Sequence, residues 1–118
     1  GTLDGLAYWP LSEEEFFGEL HTDWDTELNR YHWVIQLDSA CQYGYDSSNP
    51  IRSESPEEAL KINQRLHQIW SRHPRYFRIP SHFQFIKKIR FAEFLIHQIL
   101  RGHSLETIKG HLARFLNS

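Results

Sequence analysis

The most constraining stretch of this chain is a helix whose start is spelled out in four residues. Ser55-Pro56-Glu57-Glu58 supplies a capping hydroxyl, then a proline whose missing N–H costs nothing at the first helical position. Two acids follow, at the positive end of the helix dipole. Ala59, Ile62, Leu66, Ile69 and Trp70 then recur at helical spacing, and Pro74 ends the run at or before His73. A short β-prone run lies on each side, Trp33–Leu37 before and Arg75–Ile79 after. Strand, helix and strand in that order predict a right-handed βαβ unit with two parallel strands. Trp33 to Leu37 is apolar except for Gln36, which predicts a strand covered on both faces.

The rest of the chain is helix and loop. Gly1 to Pro10 combines two glycines and a proline with large apolar residues and reads as a loop over a surface. Ser12 with Glu15 is a capping box for a helix over about 13–20. Thr22 with Asp25 repeats the signal for a helix over about 23–30. From Ser39 to Pro50 the composition is that of a polar loop. Ser81 with Gln84 caps a further helix whose apolar face comprises Phe83, Ile86, Ile89, Leu95, Ile96, Ile99 and Leu100, and Gly102 ends it. Ser104 caps a last helix carrying Leu105, Ile108, Leu112 and Leu116. The expectation is a helix-rich α/β domain occupying 1–118, with short parallel strands near 33–37 and 75–79.

Composition narrows the function classes. Apolar residues are 40% and aromatic residues 14% of the 118, enough to build a core. A net charge of −2 gives no overall attraction to nucleic acid or to an anionic membrane. No apolar run approaches the ~18 residues of a membrane span. The single cysteine, Cys41, fits a reducing, cytoplasmic setting. Without methionine, and starting at Gly1, the sequence is expected to be a piece of a longer protein.

Several ordered motifs now read together. These are Gly1-Thr2-Leu3-Asp4-Gly5-Leu6-Ala7-Tyr8-Trp9-Pro10, Tyr31-His32-Trp33-Val34-Ile35-Gln36-Leu37, Asn49-Pro50-Ile51-Arg52-Ser53-Glu54, Glu58-Ala59 and Trp70-Ser71-Arg72-His73-Pro74-Arg75. Over about 1–100 the chain resembles a family of AAA P-loop ATPases, itself similar to nicotinamide riboside kinase and other small P-loop kinases. The resemblance implies a three-layer domain, a parallel sheet between helices, that binds ATP or GTP with Mg²⁺ on a Gly-rich loop. That loop, Gly-x-x-x-x-Gly-Lys-Ser/Thr, has no counterpart in this sequence, so the resemblance covers the C-terminal half of such a domain. It implies that Arg52 is the lid cation closing on transferring phosphates. It also implies that Asp4 faces the acceptor side of the site, where it orients the hydroxyl of a small-molecule phosphate acceptor or orders metal-bound water, and that Asn49, Ser81 and His82 contact the nucleotide. The missing N-terminal half, or a partner chain, would complete the site.

Plainer readings stand beside these. Arg52 can pair with Glu54 or Glu58 on the surface, and Asp4 can be a turn aspartate before Gly5. The histidines lack spacings that converge on one ion, so no metal chelation is expected, and His67 is assigned to the solvated side of its helix. Tyr8 and Trp9 read as cover for the sheet end. The basic set Arg72, His73, Arg75, Arg78, Lys87, Lys88, Arg90 and Arg101 reads as a solvated face ahead of an RNA surface. The alternative to a nucleotide-binding half is a self-standing, mostly helical interaction module.

Overall fold

The computed structural model describes residues 1–38, 55–80 and 83–117. The described elements are, in order, α1 (Asp4–Tyr8), α2 (Glu13–Leu20), α3 (Trp24–Leu28), β1 (Val34–Leu37), α4 (Pro56–Trp70), β2 (Tyr76–Ile79), α5 (Phe85–Leu100) and α6 (Leu105–Leu116). The chain divides into two compact units, Gly1–His82 and Phe83–Ser118. Among the described residues no helix is long and apolar enough to cross a membrane.

The helix start read from the sequence is reproduced to the residue. Ser55 is extended, its Oγ accepts the Glu58 N–H at 3.1 Å, and Pro56 opens α4. β1 and β2 pair in parallel, Val34 opposite Tyr76 through Leu37 opposite Ile79. The fold is therefore α/β and helix-rich, with two parallel strands in one sheet. The covering of β1 departs from expectation. Its buried residue is the polar Gln36, while Leu37 is 47% exposed. Gln36 is tolerated there because its whole amide is hydrogen-bonded, as described below.

His73 ties the entrances of the two strands together. It is buried, its Nε2–H donates to the Tyr31 carbonyl at 2.6 Å, and its Nδ1 accepts the Arg75 N–H at 3.0 Å. One nitrogen gives and the other receives, so the neutral ring is fully used. Arg75 Nε donates beside it to the His32 carbonyl.

The core of the first unit joins Leu3, Leu6, Ala7, Phe16, Ile69 and Trp70. The expected loop at Gly1–Pro10 is instead the short helix α1, and Asp4 is its first residue rather than a turn residue. Leu3, Leu6 and Ala7 recur at helical spacing, and burying that face outweighs the helix-breaking tendency of Gly5. Arg65 Nη2 closes the end of α1 by donating to the carbonyls of Leu6 at 3.2 Å and Trp9 at 3.3 Å. Trp9, Phe16, Phe17 and Trp24 follow edge to face at 5.3–5.5 Å, and the Arg72 guanidinium lies 3.8 Å over the Trp24 ring.

α3 is shorter than expected and is capped by Asp23, not Thr22. The Asp23 Oδ1 accepts the Thr26 N–H at 2.8 Å, and this bond holds its carboxyl below the usual range. Thr22 instead donates its hydroxyl to Glu27 Oε1 at 2.8 Å. Glu27 is only 2% exposed, and Arg30 Nε stands 3.2 Å from its other oxygen.

In the second unit α5 begins at Phe85 with Gln84 as a cap that makes no side-chain bond, so the expected Ser81–Gln84 box does not set this start. Ser81 itself lies outside the described residues. The buried residues of α5 are Lys88, Phe91, Leu95 and Gln98, whereas Phe85 and Leu100 are 75% and 79% exposed. Lys88 is thus not on a solvated face. The apolar arc of α5 is wider than the side the fold covers, so Ile86, Ile89 and Ile96 are left exposed. Gly102 (φ +80°) turns the chain toward α6.

Phe16 is nearly sealed and holds two aromatic contacts, so Phe16→Ala leaves a cavity as well as losing apolar burial. The expected cost is about 3–5 kcal/mol, read as a lower midpoint in urea unfolding of the chain. A loss below about 1 kcal/mol, the scale of a surface substitution, contradicts this packing.

Candidate functional site

The carboxyl end of the parallel pair is where this fold class takes ligands, because helix starts and loops converge there. Here β1 ends at Leu37, and the next residue, Asp38, is buried. Arg78 of β2 donates from Nε to Asp38 Oδ2 at 2.8 Å. The Asp38 side chain is almost fully enclosed, while that of Arg78 is 29% exposed.

Behind this pair runs a chain of hydrogen bonds with a single direction. Gln36 Nε2 donates to Asp38 Oδ1 at 2.7 Å and to the Asn63 carbonyl at 3.0 Å. Gln36 Oε1 accepts the Tyr76 hydroxyl at 2.7 Å. The phenol has spent its one proton on Gln36, so the His67 Nδ1, 2.9 Å away, must be the donor to the Tyr76 oxygen. His67, Tyr76 and Gln36 therefore all donate toward Asp38. They lie on α4, β2 and β1, and alternation along the strands puts Gln36, Tyr76 and Arg78 on the face toward α4. Burial pushes the Tyr76 phenol up to about 12; Arg78 opposes the shift and Asp38 adds to it.

Of the residues named from sequence, Asp4 is described. Its Oδ1 accepts the Trp70 indole N–H at 2.7 Å, and it lines a cavity of about 270 Å³ with Tyr31, Trp33, Gln36, Leu66 and Trp70. Trp70 is the last residue of α4, while the Gln36 amide meets the same helix at Asn63. Seven residues of helix, roughly 10 Å, separate these two points. Asp4 and the Asp38–Arg78 pair thus meet α4 at different points, while Gln36 both lines the Asp4 cavity and bonds Asp38. Arg52, Asn49, Ser81 and His82 lie outside the described residues.

Sequence reading missed Gln36, Asp38, Tyr76 and His67 as a unit. His67 was assigned to the solvated side, yet it is half-buried against Tyr76. Arg72, His73, Arg75 and Arg78, read as a solvated face, are each engaged within the fold. The available signal was a polar residue inside an apolar strand, followed two positions later by an acid. Protein-family models, curated proteins and solved structures were each compared with the chain, and none of the three returned a match.

Two measurements probe the network. Asp38→Asn keeps the shape but leaves Arg78 without its counter-charge. Because the guanidinium is partly solvated, the expected cost is about 1–3 kcal/mol rather than that of a fully buried pair. Urea unfolding at pH 7 reads it, and an unchanged midpoint refutes the role of the pair. The second measurement is pH dependence. The folded phenol keeps its proton to about pH 12, while the unfolded one loses it near 10. The unfolded state thus binds fewer protons between these values, and stability falls as pH rises through that window. Tyr76→Phe removes this part of the slope.

Proposed function

We propose that this chain is the lid and base side of a nucleotide-binding P-loop ATPase or small-molecule kinase. It would be part of a three-layer domain whose phosphate-loop half comes from further sequence or from a partner chain. The whole protein would bind ATP or GTP with Mg²⁺ and either hydrolyse it or transfer its γ-phosphate to a small acceptor. The observation that carries this reading is the parallel pair β1–β2 with a helix between its strands in sequence and the Asp38–Arg78 pair at its carboxyl end. Open parallel sheets bind ligands at that end. The segment bearing Asn49 and Arg52 begins immediately after Asp38.

The described residues do not by themselves fit a nucleotide–magnesium group. Both oxygens of Asp38 are engaged by Gln36 and Arg78, and among the described residues no three acidic, histidine or cysteine side chains gather as metal ligands. Their part is mechanical. The network fixes the end of β1, and Asn49 and Arg52 follow Asp38 by 11 and 14 residues in sequence. In this reading Arg52 stabilises charge on the transferring phosphoryl group, Asp4 orients the acceptor, and Asn49, Ser81 and His82 contact the nucleotide.

A second reading is supported by the exposed apolar residues Phe85, Ile86, Ile89, Ile96 and Leu100 of α5. It takes the chain as a self-standing interaction module that binds no nucleotide. Sedimentation with a melting assay separates the two. A strict monomer whose melting temperature rises with MgATP removes the module reading.

The gene upstream of Gly1 tests the leading reading. The expected result is a strand followed by Gly-x-x-x-x-Gly-Lys-Ser/Thr within about a hundred residues. In the protein so extended, Arg52→Ala is expected to lower turnover by about a hundredfold or more, with little change in nucleotide affinity. Absence of such a loop both upstream and in any chain that co-purifies with the protein, or full activity of the variant, overturns the proposal.

A further inference from the structure

The turn between α5 and α6 gathers four side chains that carry, or can take, positive charge. Arg101 is the C-cap of α5, Gly102 turns the chain at φ +80°, and the His103 N–H donates back to the Gln98 carbonyl at 3.3 Å. Ser104 then starts α6, its Oγ accepting the Thr107 N–H at 3.3 Å. Helical spacing puts Phe94, Gln98 and Arg101 on one face of α5, and His111, Arg114 and Phe115 on one face of α6. Between these faces lies a shallow, open hollow of about 460 Å³.

Its composition is unusual. Phe94 and Phe115 stack at 4.4 Å with planes 14° apart and form an apolar floor. Arg101, His103, His111 and Arg114 stand around it, and no carboxylate is among the residues that line it. Among the described residues neither arginine makes an ion pair. His111 Nδ1–H donates to Oε1 of the buried Gln98 at 2.7 Å, which orients the ring and leaves Nε2 for a ligand. The His103 ring stands edge-on to it at 5.3 Å. Arg101, Phe94, Gln98 and Phe115 also line the adjoining hollow, where Arg90, His97 and one carboxylate, Glu93, stand.

We propose that this hollow binds a small organic anion, a phosphate monoester carried on a planar aromatic body. The two guanidiniums donate to the phosphate oxygens, His111 Nε2 joins them when the ring carries its second proton, and the aromatic body lies against Phe94 and Phe115. Guanidinium forks match phosphate geometry, and an apolar floor favours a ligand with a hydrophobic part over a bare ion. The site lies within the second unit and does not depend on the nucleotide reading above.

The 118-residue chain is titrated with phenyl phosphate, inorganic phosphate and phenol, with NMR of the histidine and phenylalanine side chains alongside calorimetry. Phenyl phosphate is expected to saturate, to shift His103, His111, Phe94 and Phe115, and to bind about tenfold tighter than either inorganic phosphate or phenol. Arg101→Ala and Arg114→Ala are each expected to weaken binding by about tenfold, the size of one lost charge-assisted bond, with unchanged circular dichroism and melting. Should either alanine variant unfold, Arg101→Gln or Arg114→Gln carries the same expectation. Phe115→Leu is expected to reduce the preference for phenyl phosphate over inorganic phosphate. Absence of saturation, shifts confined to other residues, or wild-type affinity in the folded arginine variants overturns the proposal.

Discussion

One buried amide organises the first unit. Gln36 sits in a strand that its neighbours mark as apolar, yet each polar atom of its side chain is used, Nε2 by Asp38 and Asn63 and Oε1 by Tyr76. An unsatisfied amide there would cost on the order of 1–3 kcal/mol; a satisfied one sets the register of three elements at once. A slip of one residue in β1 would carry Gln36 to the opposite face and break every bond in the series. The strand pairing, the angle of α4 and the position of Asp38 therefore stand or fall together.

The same arrangement separates rigid from adaptable parts of the chain. His73 and Arg75 pin the strand entrances, and Asp38 with Arg78 pins their exits. Between those anchors the pair has little freedom, although among the described residues the sheet has two strands, and such a sheet is marginal without helical cover. α4 provides that cover, through Asn63 bonded to Gln36 and His67 bonded to Tyr76.

Much of the fold was legible because its signals are local. The cap at Ser55, the capping box at Ser12 and the β-prone runs each depend on a few adjacent residues, and each produced the expected element. What failed depended on distant partners. α1 exists because its apolar face meets Ile69 and Trp70, which two glycines in ten residues concealed. The exposed side of α5 could not be read, since periodicity gives the width of an apolar arc but not how much of it is covered. The site was hardest of all. His67, Gln36, Tyr76 and Asp38 acquire their roles only through each other, across separations of up to forty residues.

That separation also bears on how the chain reaches its structure. Tyr76 and Gln36, like Arg78 and Asp38, meet across forty residues. Closing a flexible loop of that length costs entropy before any pairing repays it, and the cost grows only slowly with further length. α4 lies inside the loop with its own cap and needs no distant contact to begin forming. Once helical it replaces fifteen floppy residues by a rod of roughly 22 Å, which shortens the search for the second strand. The hydroxyl of Ser55, by fixing where that rod begins, thus also helps to set how much chain must be searched before the two strands meet.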